Sequence, residues 1–193
     1  MHILLLFAST QGQTARIMDH VARRFRLRGH DVTLLQAADP AVATLAETGL
    51  AQFDAAILAG SIHAGRYQTE LLQAAHGLAG SAPDGLNDLP GLFLSVSLTA
   101  AGDDPAEHVE LDRLAQGFLT DTGWLGARIA HVAGALKFSS YGFFEYWAMR
   151  WIARQRDLQI TGKEDVELTD WQSLGATIEG FLAAMELRHR SRP

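Results

Sequence analysis

A short polar stretch near the start of the chain has the residue types and the position of a phosphate-binding loop. Residues 9–14 read Ser-Thr-Gln-Gly-Gln-Thr, so hydroxyl groups and side-chain amides dominate the stretch. It follows an unbroken apolar run, residues 3–7, which is typical of a strand buried on both faces. It precedes Ile17, Val21 and Phe25, whose spacing indicates an amphipathic helix. Because the first N–H groups of a helix have no internal partners, this strand-to-helix turn favours an anion.

The stretch differs from the two common nucleotide-binding loops. It lacks the lysine of a P-loop, and it has one glycine, Gly12, where the dinucleotide-binding fingerprint has three. Gly12 allows a ligand to approach the backbone, so the loop suits a phosphate held by hydrogen bonds alone. The alternative interpretation is an ordinary helix start, in which Thr10 caps the helix and Gln13 completes a capping box. Hydroxyls at positions 9, 10 and 14 exceed what a cap requires, and we therefore favour the phosphate.

Composition limits the classes of protein that this chain can represent. A length of 193 residues is typical of one domain, and we expect a single domain over residues 1–188 with a tail at 189–193. A net charge of −6 argues against a nucleic-acid partner. The absence of cysteine excludes disulfides and thiolate ligands, and the eight histidines show no metal-binding spacing, so we expect no metal.

Two features of the sequence bear on localisation. The first strand follows Met1-His2 directly, which predicts no secretory signal. No apolar run reaches the ~18 residues that a membrane-spanning helix needs. We therefore expect a cytoplasmic protein.

Five short apolar runs alternate with amphipathic helical patterns along the chain. This alternation predicts an α/β fold with a doubly wound parallel sheet. Ligands of such sheets bind beyond the carboxyl ends of the strands, where the strand order reverses. We predict the flavodoxin-like order 2-1-3-4-5, with the 9–14 loop at the ligand. The predicted strands span residues 3–7, 31–36, 53–60, 91–98 and 127–136.

Helix boundaries are marked by capping residues. Asp104-Pro105 has the cap and the first-turn proline of a helix start, and Gly123 is a stop signal. Asp39-Pro40 opens a short segment, mostly Ala and Leu, that runs to about Leu50. Thr169 and Gln172 have the spacing of a capping box for the last helix.

An insertion of about residues 137–168 separates strand five from the last helix. Within it, residues 143–152 place Phe, Trp and Ile side chains on about half of a helix surface, flanked by arginines. One interpretation is a helix that covers a sheet edge. The other is an aromatic surface that contacts a membrane interface or a hydrophobic substrate.

Three stretches together resemble a known family. They are residues 10–14 (Thr-Gln-Gly-Gln-Thr), 60–67 (Gly-Ser-Ile-His-Ala-Gly-Arg-Tyr) and 132–141 (Val-Ala-Gly-Ala-Leu-Lys-Phe-Ser-Ser-Tyr). They resemble the flavodoxin-like, menaquinone-dependent protoporphyrinogen IX dehydrogenases of bacterial haem synthesis, and the resemblance spans nearly the whole chain. At positions 63 and 64 this chain has His and Ala, where that family usually has a basic residue followed by an aromatic one.

The resemblance implies an FMN-dependent oxidoreductase that oxidises protoporphyrinogen IX and passes the electrons to a quinone. It implies a porphyrinogen-type substrate and menaquinone or another quinone as partners, with peripheral contact on the inner face of the cell membrane through residues 143–152. A homo-oligomer is left open. No general base is identified, so we assign no catalytic residue. The residues that the resemblance assigns to FMN are Ser9, Thr10, Gln11, Gly12, Gln13, Thr14, Ser61, Ile62, His63, Gly65, Arg66, Tyr67, Ser97, Leu98, Thr99, Gly134, Ala135, Leu136 and Lys137.

Other interpretations compete with this one. A flavodoxin that only carries electrons would have the same cofactor and no small-molecule substrate, and it would be more acidic around its flavin. A phosphorelay receiver would need an acceptor Asp after strand three, where Ala59-Gly60 stands. His63 is either a solvated loop histidine or a proton carrier, and Arg66 contacts either a carboxylate of this chain or the substrate.

Overall fold

The chain is built around one five-stranded parallel sheet with the order β2-β1-β3-β4-β5. The computed structural model describes residues 1–81, 85–136 and 166–190. The predicted sheet and its strand order are confirmed. The strands are β1 (His2–Phe7), β2 (Asp31–Gln36), β3 (Ala55–Ser61), β4 (Gly91–Ser97) and β5 (Ala127–Ala133).

Helices connect the strands and pack on both faces of the sheet. Helix α4 begins as predicted, with the carboxylate of Asp104 accepting from the backbone N–H of Ala106. Asp39 caps α2 in the same way, accepting from the backbone N–H of Ala41. Gly123 ends α4 in the left-handed conformation, with φ +75°. Short 3₁₀ helices lie at Leu86–Asp88 and Thr99–Ala101. The α-helices are α1 (Gln13–Leu27), α2 (Pro40–Thr48), α3 (Thr69–Ala79), α4 (Pro105–Thr122) and α5 (Trp171–Arg190).

The alternation of side chains along each strand creates a separate core on each face of the sheet. In β1, Ile3 and Leu5 contribute to the core beneath α1 and α5, whereas Leu4 and Leu6 contribute to the core beneath α3 and α4. All four side chains have no exposed surface, which explains why this strand is apolar at every position.

Strand five differs from its prediction, because the regular strand ends at Ala133 rather than at residue 136. Gly134 donates its N–H to Ser97 O at 3.0 Å and accepts from Leu168 N at 3.1 Å, which turns the chain out of the sheet. Residues Ala135–Leu136 (β6) then pair antiparallel with Val166–Glu167 (β7) in a second, two-stranded sheet. The chain therefore leaves the five-stranded sheet at Gly134, and residues 166–168 lie beside residues 134–136.

The predicted aromatic helix at 143–152 lies outside the described residues, as does the tail at 191–193. Within the described part of the chain, no helix is long and apolar enough to cross a bilayer.

Candidate functional site

A cavity of about 370 Å³ opens at the carboxyl edge of the sheet. It is called the loop cavity below, because loops after β1, β3, β4 and β5 form its walls together with the first turns of α4. Its described lining contains hydroxyl-bearing and aliphatic side chains and no Lys or Arg. The lining residues are Ser9, Gln11, Gln13, Thr14, Ser61, Ile62, His63, Ala64, Gly65, Val96, Ser97, Leu98, Thr99, Glu107, Glu110, Leu111, Leu114, Gly134 and Ala135.

The 9–14 loop presents the N-terminus of α1 to this region. The N-cap of α1 is Gly12, in the left-handed conformation with φ +84°, and no side chain among the described residues caps the helix. The alternative in which Thr10 caps α1 is therefore wrong. Gly12 N instead donates to Ser9 Oγ at 3.0 Å, and Thr10 is exposed, with its hydroxyl accepting from Gln68 Nε2 at 3.3 Å. Thr14 is buried and lines the loop cavity, whereas Thr10 and Gly12 do not.

The loop after β3 forms a tight hairpin beside the loop cavity. His63 N donates to Arg66 O at 2.8 Å and Arg66 N donates to His63 O at 3.0 Å. The central residues Ala64 and Gly65 have φ of +49° and +74°, the signature of a type I′ turn. Ser61 Oγ lies 2.8 Å from His63 Nε2. It also accepts from Nε2 of Gln68, the residue before α3, at 2.6 Å. Burial lowers the pKa of His63, so the ring is neutral at pH 7.

Arg66, which closes this hairpin, and Tyr67, which follows it, do not line the loop cavity. Arg66 is exposed. Tyr67 is buried in the core, where its ring makes edge contacts with Phe93 and Phe118 and its hydroxyl donates to Ser95 Oγ at 2.8 Å. Burial raises the pKa of Tyr67 to about 12, so the hydroxyl is a permanent donor. The expectation that Tyr67 lies at the edge of a ligand is therefore replaced by a packing role.

The loops after β4 and β5 close the remaining sides. Ser97 Oγ accepts from Ala100 N at 3.1 Å, which holds the turn that contains Leu98 and Thr99. Gly134 and Ala135 line the loop cavity beside this turn. Leu136 pairs with Val166 in β6 and does not line the cavity, and Lys137 lies outside the described residues.

Four lining residues on α4 were missed by sequence reasoning. Glu107, Glu110, Leu111 and Leu114 lie on the side of α4 that faces the loop cavity. A hydrogen bond from Arg113 lowers the pKa of Glu110, so this carboxylate is ionised. These residues could have been predicted from the position of α4 in the fold, because α4 starts at the edge of the sheet where the ligand loops lie.

The segment before α5 contacts the first turn of α1, a relationship that the sequence did not indicate. Gln13 Nε2 donates to Glu167 Oε1 at 2.6 Å and to Thr169 Oγ1 at 2.8 Å, and Arg16 pairs with Glu167. Thr169 is therefore not the cap of α5. That role belongs to Asp170, whose Oδ1 accepts from the N–H groups of both Gln172 and Ser173 at 2.9 Å. Within the described residues, no group of three or more His, Asp or Glu side chains is placed to bind a metal.

The sheet order and a ligand-sized cavity at the carboxyl edge define a doubly wound α/β protein of the flavodoxin type. The sequence model of the family described as "Flavodoxin domain" matches residues 4–160, and the chain belongs to this family. It is 25% identical to the protoporphyrinogen IX dehydrogenase (quinone) of Escherichia coli strain K12 over 174 residues, which cover 90% of this chain and 91% of that protein. It is also 25% identical to the enzyme of the same name from Leishmania major, over 98% of this chain and 78% of the other.

Solved structures of flavodoxins are similar to this chain. A point mutant of the Pseudomonas aeruginosa flavodoxin aligns with a TM-score of 0.49 and 17% identity, over 80% of this chain and 95% of that chain. Oxidised flavodoxin 2 of Bacillus cereus aligns with a TM-score of 0.49 and 18% identity, over 82% of this chain and 100% of that chain.

Proposed function

We propose that this chain is an FMN-dependent oxidoreductase that oxidises protoporphyrinogen IX to protoporphyrin IX with a quinone acceptor, as a step of haem biosynthesis. The observation that carries the proposal is the loop cavity, which joins an uncapped helix N-terminus to a slot with aliphatic walls. The substrate and acceptor are taken from the names of the Escherichia coli and Leishmania major relatives. We further propose that residues 1–188 act as one domain.

The described donor set fits FMN. A phosphate monoester needs several donors, and the uncapped N–H groups of α1 supply them beside the hydroxyls of Ser9 and Thr14. The flat ring system needs aliphatic surfaces, which Ile62, Leu98 and Leu111 provide. A volume of about 370 Å³ lies within the usual range of cofactor sites.

The protein would contribute binding and orientation, and FMN, when bound, would supply two-electron redox chemistry. Because the conversion of the porphyrinogen to the porphyrin removes six electrons and six protons, it would take three such rounds and reduce three quinone molecules to quinols. Gly65 lacks a side chain at the lining, so a ring can approach the hairpin backbone. His63, neutral at pH 7, would place a polar ring nitrogen on the wall without adding a charge. No catalytic residue of the protein is proposed. We also propose a cytoplasmic location. Because quinones are apolar, we propose that the protein contacts the inner face of the membrane through residues 143–152.

Two measurements test the proposal. First, the purified protein is titrated with FMN and followed by flavin absorption and fluorescence, with tight, saturable binding expected. Second, the loaded protein is mixed anaerobically with protoporphyrinogen IX and a menaquinone analogue, and porphyrin fluorescence is recorded. Fluorescence should rise faster than in an enzyme-free control and without NAD(P)H. The absence of saturable FMN binding would overturn the cofactor, and an unchanged rate would overturn the substrate.

A second candidate function is electron carriage without a small-molecule substrate. It is favoured by the composition of the described lining, which contains no Lys or Arg, although Glu110 on the α4 wall is paired with Arg113 outside the lining. A lining without basic side chains offers no charge partner for the carboxylates of a porphyrinogen, whereas an electron carrier does not need one. If a flavodoxin reductase reduces the bound flavin readily while protoporphyrinogen does not, electron carriage is the better assignment.

A further inference from the structure

Both amide hydrogens of Gln13 are already used within the protein. Nε2 donates to Glu167 Oε1 at 2.6 Å and to Thr169 Oγ1 at 2.8 Å. The carboxylate of Glu167, which is paired with Arg16, accepts hydrogen bonds, so it fixes the NH₂ end of the Gln13 amide on this side. The remaining amide atom, Oε1, is an acceptor and would repel a phosphate oxygen. The side chain of Gln13 therefore has no hydrogen to offer to a phosphate, although the residue is the first of α1.

Thr169 extends this contact to the end of strand five. Its hydroxyl accepts from Gln13 Nε2 and donates to Ala133 O at 2.7 Å. The next residue, Gly134, lines the loop cavity and donates its N–H to Ser97 O at 3.0 Å. Gln13 and Thr169 are 7% and 6% exposed, and the hydrogen bond between them is buried, so water competes little for it. A chain of hydrogen bonds thus joins the first turn of α1 to the loops after β5 and β4.

We infer that Gln13 and Thr169 form a positioning bridge, which holds the N-terminal turn of α1 at the place where its backbone N–H groups meet the phosphate of FMN. The inference rests on the proposed FMN function. In this arrangement, the backbone N–H of Gln13 contacts the phosphate, and its side chain bonds Glu167 and Thr169. Thr169, which does not line the loop cavity, acts on the phosphate only through Gln13.

The bridge has a ligand-specific signature, because it acts on the phosphate end of the cofactor. Riboflavin has the same ring system as FMN and lacks the phosphate. Loss of the bridge should weaken the binding of FMN and leave the binding of riboflavin unchanged. A general destabilisation of the fold should weaken the binding of both ligands. The ratio of the two dissociation constants therefore reports on the bridge.

The experiment compares three variants with the wild type by flavin fluorescence titration with FMN and with riboflavin. Thr169→Val removes the hydroxyl and should weaken FMN binding by up to about tenfold, about the effect of one hydrogen bond between neutral groups. Thr169→Ser keeps the hydroxyl and should restore the wild-type ratio. Thr177→Val is the matched control, because its hydroxyl donates to Ser173 O within α5, at 3.1 Å, and thus bonds away from the bridge.

Gln13→Leu supplies a second route to the same answer if Thr169→Val does not fold. It should weaken FMN binding by a similar factor. The variant with both Gln13→Leu and Thr169→Val should bind FMN no more weakly than Gln13→Leu alone. The inference is overturned if Gln13→Leu weakens FMN while Thr169→Val does not, since Gln13 would then bind the phosphate directly. It is also overturned if both ligands weaken equally. A wild-type protein that binds neither flavin contradicts the proposed function instead.

Discussion

Ser61 Oγ and His63 Nε2 lie 2.8 Å apart on the wall of the loop cavity. Burial lowers the pKa of His63 below its ordinary value of 6.5, so the unfolded chain takes up this proton first as the pH falls. The contribution of neutral His63 to the free energy of unfolding is therefore complete above pH 6.5. It is lost as the pH falls through the lower pKa of the folded state.

We predict that His63→Gln makes the free energy of unfolding less dependent on pH below 6.5 than it is in the wild type. Urea unfolding at pH 7.5 and at about pH 5 measures the difference. His76→Gln, at an exposed position on α3, is the control for the effect of a His-to-Gln change itself. His20, whose pKa burial also lowers, contributes in the same direction in every variant. An identical pH dependence in His63→Gln and wild type would contradict the lowered pKa.

The type I′ hairpin contains an unfavourable residue for its conformation. Ala64 has φ +49°, and a left-handed conformation costs a non-glycine residue roughly 1–2 kcal/mol. Asn-Gly is the preferred pair for this turn, so Ala64→Asn should raise the free energy of unfolding by roughly 0.5–1 kcal/mol. Ala64→Val should lower it, because a β-branched residue tolerates positive φ poorly. Chemical denaturation of the three proteins tests the order Asn above Ala above Val.

Gly60 is required by packing rather than by backbone conformation. A Cβ at this position would lie 2.4 Å from Leu71 Cδ2 and 3.2 Å from Tyr67 Cδ1. Gly60→Ala should therefore destabilise the protein by about 1–3 kcal/mol through overpacking. Gly117→Ala on α4, where nothing lies within 4 Å, should stabilise it by about 0.5–1 kcal/mol. Thermal and urea unfolding of the pair give the signs, and equal effects would refute the packing argument.

Thr14 and Thr10 should differ in their effect on FMN, although both belong to the 9–14 loop. Thr14 is buried at the loop cavity, whereas Thr10 is exposed and its hydroxyl accepts from Gln68 Nε2. Thr14→Val should weaken FMN by roughly 10- to 100-fold, the effect of one hydrogen bond to a charged group. Thr10→Val, the matched control, should change it less than about threefold. Equal losses in fluorescence titrations would place both hydroxyls on the ligand.

The sheet could be predicted from the sequence because its strands are buried on both faces. Leu4 and Leu5 point to opposite cores and both need apolar side chains, which produces a continuous run that is easy to recognise. The ligand was predicted to lie beyond the carboxyl ends of the strands, at the 9–14 loop, because parallel strands share one carboxyl edge. Local sequence patterns were therefore sufficient to predict the strands and the edge of the sheet at which the ligand loops lie.

The remaining parts of the site depend on contacts between distant residues. Gln13 and Thr169 are 156 positions apart, and nothing in the residues around either one indicates the other. Thr169 has the spacing of a helix cap, and its hydroxyl instead satisfies the Ala133 carbonyl at the point where strand five ends. Tyr67 follows a ligand loop in sequence, yet an aromatic core beneath α3 and α4 accommodates it better than the loop cavity does.

The walls of the loop cavity come from five separate parts of the chain between residues 9 and 135. No single fragment contains the whole wall, so a ligand of this cavity binds the native state and not the unfolded chain. At a free concentration of 100 times its Kd, such a ligand adds about 2.7 kcal/mol to the free energy of unfolding. In a cell, the supply of cofactor would then set how long each newly made chain survives proteolysis.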